Sequence, residues 1–193
     1  MQVIMVAGRA GEGKTTFSDI CIGILAKHDI MADKVPFAQG VKDTARSMGW
    51  DGVKDNKGRR LLQQVGNTGR EYNTDIWAQQ AVDIIEAEEA VNAYDVIFID
   101  DWRFMNEGTK VVLNAYPTTL KLRVIRPKEF HTLYGSVLYN DTSETGLPEA
   151  DSVEGFNFYD RLIYNTNGLE GLREEAVDFI NEVLLPKLDR HNA

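Results

Sequence analysis

The sequence GRAGEGKTT occupies residues 8–16, directly after the apolar run 3–7. Its spacing, G-x-x-x-x-G-K-[ST], is that of a phosphate-binding loop, in which backbone N–H groups and the N-terminus of the following helix surround an anion. In such a loop the lysine reaches the β- and γ-phosphates of a nucleotide, and the hydroxyl of the next residue is a ligand of Mg²⁺. The residues that we predict to bind the donor nucleotide here are Gly11, Glu12, Gly13, Lys14, Thr15 and Thr16.

The order of apolar and helical segments predicts the fold class. Apolar runs that do not alternate with polar residues indicate buried strands at 2–7, 35–38, 95–99, 119–125 and 161–165. Helical patterns lie between them, at 14–28, 39–49, 58–69, 74–91, 106–115 and 171–188. Strands that alternate with helices predict an α/β fold of three layers, with a parallel five-stranded sheet between two layers of helices.

Length and composition favour a single globular domain over residues 1–193. No apolar run approaches the roughly 18 residues of a membrane span, and the N-terminus lacks the features of a signal peptide, so we expect a cytoplasmic protein. A net charge of −9 argues against binding to nucleic-acid polymers, because such binding uses a basic surface. Cys21 is the only cysteine, which excludes a disulfide within the chain and indicates a buried structural thiol.

The segment from about 126 to 158 interrupts the alternation of strands and helices. It is rich in glycine, serine, threonine and acidic residues. A long segment of this kind within a compact domain is typical of a lid over an active site. We therefore expect a lid insertion there. This architecture admits its second substrate between the first helix and the third strand, so we expect an acceptor-binding region at about 37–92.

Asp100 and Asp101 follow the third apolar run, at the sheet edge where parallel strands bind their ligands. Either carboxylate could orient Mg²⁺, so both are candidate metal ligands together with Thr15. Arg103 comes next, and its guanidinium can neutralise a transferred phosphoryl group or grip an acceptor phosphate. The alternative for Arg103 is a surface ion pair with Glu107, one helical turn away.

Four further stretches of the sequence add to the evidence from the phosphate-binding loop. They are F-A-Q-G-V-K at 37–42, L-L-Q-Q-V-G-N-T-G-R at 61–70, I-D-D-W-R-F-M-N-E at 99–107 and T-S-E at 142–144. Together with the phosphate-binding loop, they resemble the phage and bacterial deoxynucleoside monophosphate kinases, relatives of adenylate and dephospho-coenzyme A kinases. The resemblance spans most of the chain, and D-x-R-F-x-N-E at 101–107 is its most specific element. It implies the P-loop nucleotide kinase fold and transfer of the ATP γ-phosphoryl group to a nucleoside monophosphate.

The motif and the resemblance together assign roles to individual residues. The predicted catalytic residues are Lys14, Asp101 and Arg103. On the acceptor side the predicted substrate-binding residues are Lys42, Arg70, Trp77 and Glu107. On the donor side, Arg126 and Asn165 are expected near the adenine. The segment 127–158 contains no arginine, so charge stabilisation is expected from Arg70, Arg103, Arg126 or Arg161.

Other protein classes share the phosphate-binding loop. A signalling GTPase needs N-K-x-D, and Asn56-Lys57 lacks the aspartate, while a D-x-x-G at 55–58 does not follow a buried strand. The competing hypothesis is another P-loop small-molecule kinase such as dephospho-coenzyme A kinase, followed by a non-kinase P-loop ATPase. The sequence leaves open the accepted bases, the selectivity for deoxyribose and the oligomeric state, a homodimer being one option.

Overall fold

The computed structural model describes residues 1–130, 146–148 and 158–191. The strands of this part of the chain are Gln2–Ala7 (β1), Ala32–Lys34 (β2), Val96–Trp102 (β3), Leu120–Ile125 (β4) and Arg161–Tyr164 (β5). They form one sheet in the order β2-β3-β1-β4-β5, and every neighbouring pair is parallel. The predicted α/β fold with a parallel five-stranded sheet is confirmed.

Helices connect the strands and lie close to the predicted positions. They are Lys14–Leu25 (α1), Ala38–Ser47 (α2), Asn56–Tyr72 (α3), Ile76–Ala90 (α4), Leu113–Ala115 (α5), Gly168–Phe179 (α6) and Leu185–His191 (α7). Two π-helical segments, Glu107–Val112 and Ile180–Leu184, lead into α5 and α7. At the start of α3, Asp55 accepts the N–H of Gly58 at 2.7 Å. The D-x-x-G sequence is therefore a helix N-cap.

The core covers both faces of the sheet, as expected for parallel strands. On one face the buried cluster includes Ile4, Phe98 and Leu122 of the sheet, Phe17 and Cys21 of α1, and Phe179 of α6. On the other face it includes Val3, Ile97 and Ile99 of the sheet with Ala78, Val82 and Ile85 of α4. Cys21 is fully buried, and its burial raises the pKa of the thiol. The prediction of a buried structural thiol is confirmed.

The second strand begins three residues earlier than predicted, at Ala32 instead of residue 35. The prediction followed the apolar Val35 and Phe37, which are indeed buried. These side chains pack in the core where the chain leaves the sheet towards α2. An edge strand is paired on one side only, so β2 lacks the apolar run that marks the central strands.

Most of the predicted lid, including T-S-E at 142–144, lies outside the described residues. Among the helices of the described ranges, none combines the length and the apolar character that a membrane span requires.

Candidate active site

The phosphate-binding loop joins β1 to α1 and turns through three glycines with positive φ. These are Gly8 (147°), Gly11 (82°) and Gly13 (105°). A Cβ atom on Gly8 would lie 2.8 Å from the carbonyl oxygen of Val124, and one on Gly13 would lie 2.8 Å from Nδ2 of Asn165. Gly13 is also the N-cap residue of α1, and no side chain caps the helix there. The loop therefore has the backbone path and the open helix N-terminus that anion binding requires.

Lys14 lies over this loop, with only 8% of its surface exposed. Its Nζ donates hydrogen bonds to the carbonyl oxygens of Gly8 at 2.7 Å and Arg9 at 2.9 Å. The ammonium group is thus at the loop, within the region where the motif places the nucleotide phosphates.

A cavity of about 460 Å³ lies beside the loop. The predicted donor residues that line it are Gly11, Gly13, Lys14, Thr15, Thr16, Arg126 and Asn165. We call this the donor cavity. Glu12, which was also predicted, is not among its lining residues and is buried in the loop. Gly168, Leu169 and Leu172 of α6 complete the lining. These three residues were not predicted, because no local motif in the sequence marks them.

The two aspartates at the end of β3 face different parts of the site. Asp100 is buried, and its carboxylate lies 3.9 Å from Nζ of Lys34, which also pairs with Asp19 of α1. The carboxylate of Asp101 accepts the backbone N–H groups of residues 37–38, at 2.8 and 2.9 Å. The two side chains face opposite sides of the sheet because neighbouring residues of a strand alternate, as Phe98 on the α1 face and Ile99 on the α4 face already do. Asp100 therefore lies on the α1 side and Asp101 on the α2 side.

A second, smaller cavity of about 70 Å³ lies at the ends of β2 and β3. The predicted residues that line it are Arg70, Trp77, Asp101, Arg103 and Glu107, joined by Phe37, Ala38, Val41 and Phe104. We call this the acceptor cavity. The structure thus brings together five predicted residues from α3, α4, the end of β3 and the segment that follows it. Lys42 does not line this cavity and lies half-buried on α2.

Arg70 is the cation of the acceptor cavity whose contacts are clearest. Its guanidinium carbon lies 5.0 Å from the centre of the Phe104 ring, and its Nη2 donates to Asn67 at 2.8 Å. Burial lowers the pKa of Arg70, Arg103 lowers it further, and Glu107 opposes this shift. The guanidinium nevertheless stays charged, because its ordinary pKa is so high. Phe104 was not predicted as a site residue, although it belongs to the D-x-R-F-x-N-E element at 101–107.

Glu107 is a buried carboxyl group, only 5% exposed. Its Oε2 accepts the backbone N–H groups of Arg103 at 3.3 Å and Phe104 at 3.1 Å. Burial raises the pKa of Glu107 to about 7, and the nearby Asp101 adds to this shift. Burial also raises the pKa of Asp101. Because Glu107 is buried, it does not form the surface ion pair that was the alternative for Arg103.

Trp77 has a structural contact as well as a place at the cavity. Its Nε1 donates to the carbonyl oxygen of Gly66 at 3.0 Å. A Cβ atom on Gly40 would lie 3.0 Å from the indole, and one on Gly69 would lie 2.2 Å from it. The ring is therefore packed between α2 and α3, and it anchors these helices beside the acceptor cavity.

The position of Arg161 excludes it from the arginines that could stabilise a transferred phosphoryl group. It begins β5, at the end of the strand away from the site, and pairs with Glu182 at 2.7 Å. Arg126 lines the donor cavity, and Arg70 and Arg103 line the acceptor cavity.

The residues near the loop fit a magnesium ion bound together with a nucleotide. Within the described ranges, no group of three histidine, cysteine, aspartate or glutamate side chains forms a metal site by itself. Nucleotide-bound Mg²⁺ does not require such a group, because phosphate and water oxygens supply most of its ligands. Thr15 lines the donor cavity and Asp100 lies on the same side of the sheet. Their oxygen atoms are the donors that Mg²⁺ prefers.

No protein-family model matches the chain, and no curated protein matches it significantly. Several solved structures match the chain. A sugar kinase from Janibacter sp. HTCC2649 is 14% identical, with 96% of this chain and 97% of that chain covered and a TM-score of 0.53. The Mycobacterium tuberculosis APS kinase CysC, solved with AMPPNP and APS, is 12% identical, with 96% of this chain and 97% of that chain covered and a TM-score of 0.52. Dephospho-CoA kinase from Campylobacter jejuni is 16% identical, with 97% of this chain and 100% of that chain covered and a TM-score of 0.51. At such low identity these similarities establish the architecture, and the chain has the fold of the P-loop kinases.

Proposed function

We propose that the protein transfers the γ-phosphoryl group of ATP to a nucleoside monophosphate, with deoxynucleoside monophosphates as its preferred acceptors. One observation carries the proposal. The phosphate-binding loop follows β1, the central strand, with the donor cavity on its β4–β5 side and the arginine-lined acceptor cavity on its β2–β3 side. Ligands of open parallel sheets bind beyond the carboxyl ends of the strands, where the strand order reverses. Two substrates can therefore meet at the loop.

On the donor side, the chain binds the ATP phosphates through the loop backbone, the α1 N-terminus and Lys14. The ammonium group exchanges its bonds to the loop carbonyls for bonds to phosphate oxygens. Arg126 offers a planar cation for the adenine ring. A transferred phosphoryl group gathers negative charge, and fixed cations stabilise that charge without reorganisation.

Mg²⁺ would supply further charge neutralisation at the phosphates. We assign its protein contacts to Thr15 and Asp100, because both lie on the α1 side of the sheet. Asp101 is then left to hold the start of α2 and to shape the acceptor cavity.

On the acceptor side, Arg70 and Arg103 grip the acceptor phosphate. The acceptor cavity, about 70 Å³ in volume, accommodates the phosphate group. We place the base of the acceptor beside Trp77. The carboxyl groups of Asp101 and Glu107 are acceptors for hydroxyl or amino groups of the same substrate.

A second candidate is transfer to a hydroxyl group of another small molecule. Two carboxyl groups in the acceptor cavity, Asp101 and Glu107, favour it, because a carboxylate can take the proton of an attacking hydroxyl. Dephospho-coenzyme A kinase is the leading example, and the C. jejuni enzyme has the same fold.

The test is ADP release with Mg-ATP and a panel of ribo- and deoxynucleoside monophosphates, with dephospho-coenzyme A as the rival acceptor. We expect the highest kcat/KM for a deoxynucleoside monophosphate. If dephospho-coenzyme A is used better than every nucleotide, the second candidate replaces the first. ADP release that no acceptor stimulates would instead indicate an ATPase.

A further inference from the structure

Glu12 occupies one of the four variable positions of the phosphate-binding motif, which ascribes no role to its side chain. In the structure that side chain is only 3% exposed. Its Oε2 accepts the backbone N–H of Arg9 at 2.5 Å, and its own N–H donates to the carbonyl oxygen of Arg9 at 3.2 Å. This reciprocal pair closes the loop on itself.

A second contact holds the same residue from outside the loop. Asn165, directly after β5, donates from Nδ2 to the carbonyl oxygen of Glu12 at 2.9 Å, and the contact is buried. The backbone N–H of Asn165 donates to the carbonyl oxygen of Ile125 at the end of β4, at 2.8 Å. Asn165 is thus attached to the sheet through its backbone and to the loop through its side chain. Gly13 permits this approach, since a Cβ atom there would meet Nδ2.

We propose that Glu12 and Asn165 are positioning residues, which hold the phosphate-binding loop in its binding conformation before ATP arrives. Lys14 also bonds to the loop, through the carbonyl groups of Gly8 and Arg9, but its ammonium group is needed by the phosphates. The contacts of Glu12 and Asn165 do not have to break when a nucleotide binds. A loop that is already ordered loses less conformational entropy on binding, which increases affinity.

Because Glu12 is negatively charged, its positioning role can be tested separately from the electrostatic effect of its side chain on ATP binding. A carboxylate within the loop repels a polyphosphate, so its negative charge opposes ATP binding. What supports binding is its hydrogen-bond acceptor. Glutamine keeps an acceptor oxygen and loses the charge, whereas alanine loses both. The two substitutions are therefore expected to change the affinity in opposite directions.

The experiment is calorimetric titration of Mg-ATP into the full chain. Glu12→Gln is expected to lower the Kd by about threefold or more through removal of repulsion. Glu12→Ala and Asn165→Leu are each expected to raise it by about tenfold, the effect of losing one buried hydrogen bond. The exposed Glu170, at the start of α6, provides the matched control, because Glu170→Gln removes one charge without touching the loop. In steady-state assays, the two weakening substitutions are expected to raise the KM for ATP and leave the KM of the acceptor unchanged.

The inference rests on ATP binding in the proposed function, and its outcomes are distinct from those of the acceptor panel. Equal weakening by Glu12→Gln and Glu12→Ala would show that the charge itself is required, and would overturn the positioning role. Wild-type affinity in Glu12→Ala would overturn it as well. If the wild-type protein binds Mg-ATP and the predicted pattern holds, yet no nucleotide is phosphorylated, the proposed function fails and the positioning role stands. Absence of ATP binding by the wild-type protein would overturn both.

Discussion

At the scale of single residues, the proposed donor site includes Lys14, whose ammonium group donates to two backbone carbonyl groups of the loop. We expect Lys14→Ala to reduce turnover by at least about 100-fold, because one charge contact to the transferred group is lost. The measurement is kcat in the ADP-release assay, with thermal unfolding to confirm that the variant is folded. Lys27→Ala, at an exposed position after α1, serves as the control. Near-normal turnover in folded Lys14→Ala would contradict the kinase proposal.

A substitution of Arg70 tests whether ATP and the acceptor bind in separate cavities. We expect Arg70→Ala to raise the KM of the nucleoside monophosphate by about 10- to 100-fold, the loss of a charged hydrogen-bonding partner. The affinity for ATP should stay nearly unchanged, because Arg70 lines only the acceptor cavity of the two. Arg46→Ala is a suitable comparison, since Arg46 lies exposed on α2 and pairs with Asp43. Weaker ATP binding with an unchanged acceptor KM would reverse our assignment of the two cavities.

At the scale of elements, the end of β3 joins α1 and α2 through its two aspartates. We expect Asp101→Ala to destabilise the fold by about 1–2 kcal/mol, because the N–H groups at the start of α2 lose their acceptor. Asp100→Asn should instead leave the free energy of unfolding close to that of the wild type and raise the Mg²⁺ concentration needed for turnover. Urea unfolding and Mg²⁺ titration of activity measure the two effects. If the effects were exchanged, Asp101 would be the metal ligand.

The raised pKa of Glu107, in the segment that follows β3, predicts that the free energy of unfolding depends on pH. Its pKa is about 7 in the folded protein, above the 4.5 of an ordinary glutamate. The folded state therefore holds a proton that the unfolded state has released, and stability falls as the pH rises from about 4.5 to about 7. Glu107→Gln keeps an acceptor for the two N–H groups and removes this loss. The variant should be more stable than the wild type by up to about 3 kcal/mol at pH 8 and similar to it near pH 4.5.

Urea unfolding at both pH values checks this expectation. Asp101 also lies beside Glu107 with a raised pKa, and Arg70 and Arg103 are the nearby cations, but all three are present in both proteins. The difference between wild type and variant therefore isolates Glu107. A difference that does not change with pH would mean that Glu107 is already ionised in the folded protein.

At the scale of the whole molecule, the two cavities lie on one edge of the sheet and flank the same loop. A ligand that joins adenosine to a deoxynucleoside through a polyphosphate should therefore fill both. We expect it to raise the melting temperature more than ATP does at the same concentration, because contacts in both cavities lower its Kd for the folded state. Arg70→Ala should remove the additional increase and leave the effect of ATP. Equal shifts with ATP and with the joined ligand would argue against a shared edge for the two substrates.

The sequence by itself determined the phosphate-binding loop and the alternation of strands and helices, because a loop motif, a helical period and an apolar run are all local patterns. For the residues that line the acceptor cavity, it offered a strand-end motif and the resemblance to a kinase family. Tertiary structure decided the rest. Strand alternation separates Asp100 from Asp101, but which of them faces α1 depends on which helix covers each face of the sheet. The contribution of α6 to the donor cavity depends on where the chain returns after β5. The contact from Asn165 to Glu12 joins residues 153 positions apart. Such contacts arise only when distant segments pack together, so no local pattern in the sequence contains them.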